Sequence, residues 1–320
     1  MTMIIQTVSG PIAPEAAGVT MSHEHVLVDG WLMFGTYDAI LDDEVLAARE
    51  LADLTAAGGR TIVDCTSGGI GRDPAALRAV AGESGVQIIM GAGWYRERVY
   101  APEVVRSTPD QLADRLVAEI RDGVDGSGIR PGFIGEIGTE RYAISAAQER
   151  VFRAAARAQR RTGVSIWTHT THGGDLAIEQ IALLAEEGVP PERIVVSHMG
   201  DRIGYRHLDP IARTGVYLSV DNIGYVGGGY PPDDVRADNV TELIANGHGS
   251  QVMLGGDTCT KSGLTAYGGK GYGHVLRRFV PMLRERGVDE AAIRAMLVEN
   301  PRRALTIDDA LTGRTERGTA

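Results

Sequence analysis

Cysteine is scarce in this chain, which contains two cysteines, Cys65 and Cys259, among 320 residues. Two thiols cannot form a disulfide framework, and they cannot provide the four sulfur ligands of a structural zinc site. Histidine and carboxylate side chains are therefore the expected ligands of any metal site. Aromatic residues are also few, at 5% of the chain, which leaves little aromatic surface for holding a large aryl group.

An excess of basic charge and long apolar runs are lacking as well. The chain has 32 Lys and Arg against 42 Asp and Glu, a net charge of −10, whereas a nucleic-acid-binding protein shows a clustered basic face. No apolar run reaches the roughly 20 residues of a membrane span, and the first residues show no signal peptide. We therefore expect a cytoplasmic protein that crosses no membrane, binds no nucleic acid and acts on a small molecule.

Glycine, by contrast, is abundant, with 42 residues, while proline is ordinary, with 13. A glycine in the left-handed conformation commonly ends a helix, because it has no Cβ to clash with the last turn. Six glycines are interpreted as such helix ends: Gly58, Gly163, Gly188, Gly215, Gly247 and Gly287.

Short apolar runs alternate along the chain with longer amphipathic stretches. The runs are rich in β-branched residues and most follow a glycine, so each predicts a strand that is buried on both faces. The eight predicted strands are residues 19–28, 61–65, 86–90, 133–137, 164–167, 194–196, 216–220 and 252–254. The predicted helices are residues 42–57, 75–81, 109–121, 146–161, 177–187, 238–246, 274–286 and 289–299, the last closed by Asn300 and Pro301.

Eight strand–helix units without a break in composition predict a single α/β domain. A (β/α)8 TIM barrel needs about 250 residues, and this chain has room for one with long loops. The competing fold is a doubly wound open sheet, whose first strand–helix turn usually carries G-x-G-x-x-G, and the motif is absent there. We therefore assign residues 1–306 to the barrel and residues 307–320 to a polar C-terminal tail.

Four of the eight histidines stand on or at the ends of predicted strands. His23 and His25 form an H-x-H pair in the first strand, where residues two apart point to the same side. His169 follows the fifth strand, and His198 follows the sixth. Because the C-terminal ends of barrel strands meet at one mouth, these four imidazoles are expected to converge there.

Two carboxylates join this set. Asp257 follows the eighth strand, and Glu136 lies inside the fourth, in an apolar setting where an unpaired charge is costly. A salt bridge to an arginine is the alternative explanation for Glu136. Imidazole and carboxylate suit zinc, manganese, cobalt, nickel or iron. Six ligands are too many for one zinc with an open position, and they fit two divalent metal ions that share a carboxylate and a bridging water.

A set of motifs spreads over nearly the whole chain: Met21-Ser22-His23-Glu24-His25, Gly132-Phe133-Ile134-Gly135-Glu136-Ile137-Gly138, Thr168-His169-Thr170, Val196-Ser197-His198, Gly256-Asp257 and Glu299-Asn300-Pro301. In these motifs the chain resembles the phosphotriesterase-like family of the amidohydrolase superfamily. The resemblance implies a binuclear metal hydrolase on a (β/α)8 barrel. By this resemblance His23, His25 and Asp257 hold the more buried metal. His169 and His198 hold the more exposed one, and a hydroxide bridges the two.

Two positions depart from the family pattern. Most members bridge the metals with a carboxylated lysine in the fourth strand, whereas residues 133–139 contain no lysine and Glu136 takes that role. A glutamate there resembles the branch that includes the phosphotriesterase homology and phosphotriesterase-related proteins. Organophosphate-cleaving members carry a histidine after the aspartate of the seventh strand, whereas here Asn222 follows Asp221. Because an amide cannot relay a proton, we expect weak phosphotriester cleavage.

The resemblance and the ligand set together predict metal-assisted hydrolysis. Two divalent transition metal ions, zinc first and manganese, cobalt, nickel or iron as alternatives, would lower the pKa of a bridging water towards about 7. Asp257 is the predicted catalytic residue, because it would take up the proton of that hydroxide. We expect attack on a carboxylic ester or lactone. The alternatives are amide hydrolysis of an N-acyl amino or sulfonic acid, weak phosphotriester cleavage, and a metal-binding barrel without turnover.

Four loop residues are candidate substrate contacts. Tyr95 lies in the loop after the third strand, where the lactonase branch of the family carries a tyrosine beside the metals. Lys261, in the loop after the eighth strand, offers a cation for an anionic substrate. Tyr225, in a glycine-rich loop after the seventh strand, is a lid candidate, and His172 stands three residues after His169. Members of the family are often dimers, so the resemblance also implies a homodimer.

Overall fold

A parallel sheet of eight strands, curled into a barrel, forms the centre of the molecule. The computed structural model describes residues 2–172 and 176–312. Within these residues the barrel strands are β1 Thr20–Glu24, β2 Thr61–Asp64, β3 Gln87–Ala92, β4 Phe133–Gly138, β5 Ile166–His169, β6 Ile194–Val196, β7 Tyr217–Val220 and β8 Val252–Leu254. Each strand pairs in parallel with the next along the chain, so the predicted (β/α)8 barrel is confirmed.

Strands β1 and β8 lie at the two ends of this order, and loop and side-chain contacts join them. The peptide N–H of Asp257 donates to the carbonyl of His23 at 2.9 Å. The carboxylate of Glu24 accepts the N–H groups of Gly256 at 2.6 Å and Thr258 at 2.9 Å. These five residues form what we call the closing seam. It ties the H-x-H strand directly to the loop that carries Asp257.

Helices cover the outside of the barrel. The helix after each strand takes that strand's number: α1 Glu44–Ala56, α2 Pro74–Ser84, α3 Pro109–Asp122, α4 Ala146–Thr162, α5 Ala177–Glu186, α6 Asp209–Ala212, α7 Asp233–Ala245 and α8 Val280–Glu285. A π-helical turn, Val275–Phe279, leads into α8. Local sequence sets the ends of these helices. Ser145 caps α4 by accepting the N–H of Gln148 at 3.1 Å, and Gly163, with φ of 74°, ends it.

Two helix predictions between β6 and α8 need correction. The short α6 has no counterpart in the prediction, because four residues are too few to show a helical period. Helix α7 begins at Asp233 rather than at residue 238. Its start follows two prolines and carries two acidic residues in the first turn, which are ordinary signals of a helix N-terminus.

The C-terminal helix also differs from the prediction. We expected Asn300 and Pro301 to end it, but Glu290–Arg294 continues through a π-helical turn, Ala295–Glu299, into Asn300–Leu305. Proline is tolerated in the first turn of a helical segment, where it removes no intrahelical hydrogen bond. The buried side-chain amide of Asn300 donates to the carbonyl of Val252 at 2.6 Å, which fastens this helix to β8.

A small antiparallel sheet lies at the N-terminal ends of the barrel strands. It consists of Met3–Thr7, paired with Gly10–Ile12 on one side and with Ile307–Asp308 on the other. A short helix, Asp309–Thr312, follows. The folded chain therefore continues past residue 306, and the rest of the predicted tail, residues 313–320, lies outside the described residues.

Side chains fill the interior of the barrel. One hydrophobic cluster contains inward-facing residues of seven strands together with Ile5 from the terminal sheet: Val63, Ile89, Phe133, Trp167, Val195, Tyr217 and Met253. A larger cluster lies between the strands and the helices. The filled interior leaves the C-terminal mouth as the place for a site. No helix in residues 2–172 and 176–312 combines the length and apolarity that a bilayer crossing needs, and the cytoplasmic location stays a prediction.

Candidate metal centre

The residues that follow β6, β7 and β8 share an unusual backbone conformation. His198, Asn222 and Asp257 are all left-handed, with φ of 64°, 58° and 51°. Residues other than glycine rarely adopt this conformation, which concentrates at functional sites where surrounding contacts hold it. All three side chains line one cavity at the C-terminal mouth of the barrel.

The H-x-H imidazoles face the two predicted carboxylate ligands. His25 Nε2 lies 3.4 Å from Glu136 Oε1 and 3.3 Å from Asp257 Oδ1. His23 Nε2 lies 3.5 Å from Glu136 Oε2 and 3.6 Å from Asp257 Oδ1. Nitrogen and oxygen donor atoms from β1, β4 and the end of β8 therefore converge on one small region.

Glu136 also faces a second group, formed by His169 and His198. His169 Nδ1 lies 3.0 Å from Glu136 Oε2 and 2.7 Å from His198 Nε2. His198 Nε2 in turn lies 3.6 Å from Glu136 Oε2. The two oxygens of Glu136 therefore stand between the two groups, with Oε1 near His25 and Oε2 near His169. All six ligands inferred from sequence lie together at the mouth. We call them the ligand cluster: His23, His25, Glu136, His169, His198 and Asp257.

Three of the four imidazoles are held from behind through Nδ1. Their partners are Ser197 for His23 at 3.0 Å, Thr66 for His25 at 2.9 Å and Asp221 for His198 at 2.8 Å. Because one ring nitrogen is engaged in this way, the other, Nε2, is directed into the ligand cluster. Contacts of this kind orient metal-binding histidines in proteins.

The ligand cluster fits a pair of transition metal ions. Two sets of donor atoms, each within 4.8 Å of one another, come from His23, Glu136 and His198 and from His23, His25 and Asp257. The Nε2 atom of His23 is buried and has no hydrogen-bond partner among the described residues. A buried nitrogen without a partner costs free energy, which a bound cation would offset. Imidazole and carboxylate are ligands that zinc and neighbouring transition metals accept.

The ligand cluster belongs to a cavity of about 390 Å³, and three of the predicted substrate contacts line it. The Tyr95 hydroxyl lies 3.3 Å from His169 Nε2. Tyr225 donates its hydroxyl hydrogen to the main-chain carbonyl of Asp257 at 3.1 Å. His172 is the third lining residue.

The two lysines of the loop after β8 are engaged elsewhere. Lys261 lies outside the cavity, with Nζ 3.8 Å from a carboxylate oxygen of Asp42, so the structure does not bring it to the site. Lys270 is buried, donates from Nζ to the carbonyl oxygens of Ile223 and Gly256, and lies 3.9 Å from the ring centroid of Tyr225. Burial lowers the pKa of Lys270 to about 8.

Comparison with known sequences identifies the family. The sequence model of the Phosphotriesterase family matches residues 3–305, which include every residue of the ligand cluster. The chain belongs to the phosphotriesterase family. Because members of this family are hydrolases, this chain is a metal-dependent hydrolase, and the predicted enzyme class is confirmed.

Individual relatives of this phosphotriesterase-family chain differ in their named activities. The N-acetyltaurine hydrolase of Danio rerio is 34% identical over 94% of this chain and 97% of that protein. The phosphotriesterase homology protein of Escherichia coli (strain K12) is 33% identical over 90% of this chain and 97% of that protein. Its crystal structure, with phosphate in the active site, has a TM-score of 0.86 over 91% and 99% of the two chains.

A lactonase is also similar. The lactonase Lmo2620 from Listeria monocytogenes is 29% identical, with a TM-score of 0.87 over 95% of this chain and 99% of that chain. The names of these relatives point to different substrates, since one is an N-acetyltaurine hydrolase and another is a lactonase.

Charges within the ligand cluster shift the pKa values of its members in opposite directions. Burial disfavours the charged form of Asp257, but hydrogen bonding to His25 and the other nearby imidazoles outweigh burial and lower its pKa to about 2. Burial likewise opposes protonation of His25, but Asp257 and Glu136 outweigh it and raise the pKa of His25 to about 10. Protons on imidazole thus balance the carboxylates, and a metal ion has to displace them.

Sequence reasoning missed Glu24, which stands between the two histidines of the H-x-H pair. Adjacent residues on a strand point to opposite sides, so Glu24 faces away from the ligand cluster. Its buried carboxylate accepts N–H groups on both sides of Asp257, in the closing seam. Burial raises the pKa of Glu24, and the attraction of Lys270 opposes that rise. Strand alternation was the signal that could have found it.

Proposed function

We propose that this phosphotriesterase-family chain hydrolyses a carboxylic ester or lactone, with two divalent transition metal ions of which zinc is the first choice. Manganese, cobalt, nickel and iron are the alternatives that the ligand types allow. Bound metal ions would lower the pKa of the attacking water and polarise the carbonyl oxygen of the substrate. The convergence of four imidazoles and two carboxylates in one cavity supports this chemistry.

The observation that carries the substrate class is the wall of the cavity. Beyond the ligand cluster, the wall includes the apolar side chains of Val28, Phe34, Ala39, Ile70 and Cys259. Among the described lining residues, Arg96 is the one Lys or Arg side chain, and its guanidinium pairs with Glu140, Nε to Oε1 at 3.3 Å. An anionic substrate would have to compete with that ion pair, whereas an acyl chain or lactone ring meets apolar surface.

Asp257 would take up the proton of the attacking water. Its carboxylate lies 3.3 Å from His25 Nε2, lines the cavity, and exposes 12% of its side-chain surface, which supports this role. Tyr95 would donate a hydrogen bond to the substrate oxygen. The closeness of its hydroxyl to both ring nitrogens of His169, 3.3 and 3.4 Å, supports a position beside the reacting carbonyl.

A second candidate function is amide hydrolysis of an N-acyl amino or sulfonic acid. The observation that favours it is Arg96, a cation on the cavity wall that lies 5.8 Å from the ring centroid of Tyr95. In this case the anionic end of the substrate would displace Glu140 from Arg96. Relatives that are named N-acetyltaurine hydrolase support this candidate.

A panel of hydrolysis assays tests the proposal. Protein loaded separately with zinc, manganese, cobalt, nickel or iron is assayed on lactones and esters of increasing acyl length, N-acetyltaurine and other N-acyl acids, and a phosphotriester. We expect the highest kcat/KM for a lactone or ester, rising with acyl length as the apolar wall is filled.

Arg96→Gln separates the two candidates, with Arg106→Gln, at an exposed residue outside the cavity, as the matched control. Lactone hydrolysis should change little in either variant. If N-acyl acids are preferred by more than about tenfold and KM for them rises in Arg96→Gln alone, the amide candidate replaces the lactone proposal.

The homodimer inferred from the family resemblance stays a prediction, and so does the absence of a nucleic-acid partner. Light scattering of the purified protein measures the first, and a salt-dependent retention assay on nucleic acid measures the second.

A further inference from the structure

The loop after β5 carries an ion pair that the ligand cluster does not use. His172 Nδ1 lies 3.0 Å from Oδ2 of Asp201, a residue three positions after His198. The side chain of Asp201 is 2% exposed, whereas that of His172 is 30% exposed. Both residues line the same cavity as the metal ligands. One member of the pair is therefore fixed inside the protein, and the other presents its ring to the cavity.

The loop after β7 lies against the ring of His172. The imidazole and the ring of Tyr230 have centroids 4.2 Å apart. A Cβ atom at Gly229, where φ is +99°, would lie 2.7 Å from His172 Nε2. Since glycine has no Cβ, the loop can approach Nε2 this closely, and any side chain at residue 229 would collide with the imidazole.

Cleavage of an alkyl ester, lactone or amide needs a proton at the leaving atom, because an alkoxide or amide anion is a poor leaving group. Asn222, which occupies the mouth at the end of β7, bears an amide that does not titrate. Its Nδ2 lies 3.2 Å from His198 Nδ1. Histidine is the side chain that most readily gives and takes a proton near neutral pH. Among the lining residues that the structure describes, His172 is the histidine outside the ligand cluster.

We propose that His172, oriented by Asp201, is the general acid that protonates the leaving group. The inference rests on the proposed hydrolytic function. The water oxygen bonds to the carbonyl carbon while Asp257 takes up its proton. The bond from that carbon to the leaving oxygen or nitrogen breaks, its electron pair stays on the leaving atom, and this atom takes the proton of His172 Nε2. Asp257 then releases to solvent the proton that it took up, and the neutral imidazole of His172 recovers a proton from solvent, so both residues return to their starting state.

Asp201 acts in this step as a positioning residue. Its carboxylate accepts the Nδ1 hydrogen of His172, which leaves Nε2 as the ring atom that exchanges its proton with the substrate. Aspartate orients histidine in the same way in Ser–His–Asp hydrolases. Asp201→Asn is therefore expected to act in the same direction as loss of the imidazole, with a smaller effect.

A series of esters with one acyl group and different leaving alcohols tests the proposal, using the metal-loaded enzyme. For His172→Gln we expect kcat to fall about 10²- to 10⁴-fold on an alkyl ester and less than about threefold on a p-nitrophenyl ester, whose leaving group needs no proton. KM and the metal content should stay as in the unaltered enzyme. A purely structural role for His172 would lower both rates alike.

His207→Gln, at an exposed histidine outside the cavity, is the matched control and should behave as the unaltered enzyme. An equal loss on all leaving groups, or no loss, overturns the proposal, since Asp257 would then deliver the leaving-group proton itself. If the unaltered enzyme cleaves N-acyl amides but no ester, the lactone and ester proposal fails. The same comparison between anilides and alkyl amides then decides the role of His172.

Discussion

Both carboxylate oxygens of Asp221 hold His198. Oδ1 lies 2.8 Å from the ring Nδ1, and Oδ2 accepts the peptide N–H of His198 at 3.0 Å. Burial opposes ionisation of Asp221, but the imidazoles of His198 and His23 outweigh burial and lower its pKa. One buried residue therefore sets both the ring orientation and the left-handed backbone of a predicted metal ligand.

Asp221→Asn should weaken binding of the more exposed metal ion about 10- to 100-fold, because an amide cannot accept both hydrogen bonds from His198. Competition with a coloured chelator measures the affinities of the two ions separately. Asp114→Asn removes a surface ion pair with Arg161 and should leave both affinities unchanged. Two unaltered affinities in Asp221→Asn would contradict the orienting role of Asp221.

Metal binding should release protons and tighten as pH rises. In the metal-free protein His25 carries a proton, because Asp257 and Glu136 raise its pKa to about 10 against the effect of burial. A metal ion has to displace that proton. Titration calorimetry in two buffers of different ionisation enthalpy counts the protons released, and chelation should abolish turnover. Binding without proton release would contradict this charge balance, and full activity after chelation would exclude the metal-dependent mechanism.

The raised pKa of His25 also makes the free energy of unfolding of the metal-free protein depend on pH. A raised pKa of His25 stabilises the fold fully below its ordinary pKa of about 6.5. This contribution is lost as pH rises through about 10. Urea unfolding of the chelated protein at several pH values should therefore show a stability contribution from His25 that declines between these limits. His25→Gln removes the titrating group and serves as the control.

Glu24→Gln should loosen the closing seam. A glutamine amide has one acceptor oxygen, so one of the N–H groups of Gly256 and Thr258 loses its buried partner, at a cost of about 1–3 kcal/mol. Gly256 and Thr258 lie on either side of Asp257, which is a predicted ligand of the more buried metal. The affinity for that metal should therefore fall together with the free energy of unfolding. Glu192→Gln, at an exposed residue, is the control. Unchanged metal affinity in Glu24→Gln would limit Glu24 to a structural role.

Asp257→Asn should reduce turnover about 10²- to 10⁴-fold even at saturating metal, because an amide cannot take up the proton of the attacking water. Metal content is measured in parallel, since Asp257 is also a predicted ligand. Turnover at the original rate with two bound ions would contradict the assignment of Asp257 as the catalytic base.

Gly91→Ala should destabilise the barrel by more than about 3 kcal/mol, because its Cβ would lie 1.9 Å from the carbonyl oxygen of Gly135 in the neighbouring strand. Gly82→Ala, inside α2 with no atom within 4 Å of the new Cβ, should instead stabilise by about 0.5–1 kcal/mol. Chemical denaturation compares the two. Equal stability of both variants would exclude this close approach of β3 and β4.

The strands were predictable because each leaves a local signal. A strand buried on both faces is a continuous apolar run, and each of the eight predicted runs overlaps one of the strands β1 to β8, with bounds that differ by a few residues. Helix ends were equally local: the prediction offered Asp42 or Asp43 as the cap of α1, and the structure selects Asp43, which accepts the N–H of Leu46. Helix α6 was missed because four residues carry no period.

The convergence of the six candidate ligands was predictable for a topological reason. Strand ends of a barrel meet at one mouth, so His169, His198 and Asp257 come together although they are far apart along the chain. Asp201 gave no comparable signal, and for Glu24 strand alternation indicates only which side of the strand the carboxylate faces. Their partners, the peptide N–H groups beside Asp257 and the ring of His172, lie on other strands and loops, and no local pattern records such contacts.

The sequence by itself determined the barrel and the six side chains at its mouth, because periodicity and position at a strand end are local properties. Only the tertiary structure decided that Nε2 of His198 faces Glu136, that Lys261 turns to Asp42, and that His172 pairs with Asp201. The physical reason is that ring orientation, burial and ion pairing depend on atoms brought together by folding, and these contacts decide which donor and proton each side chain presents.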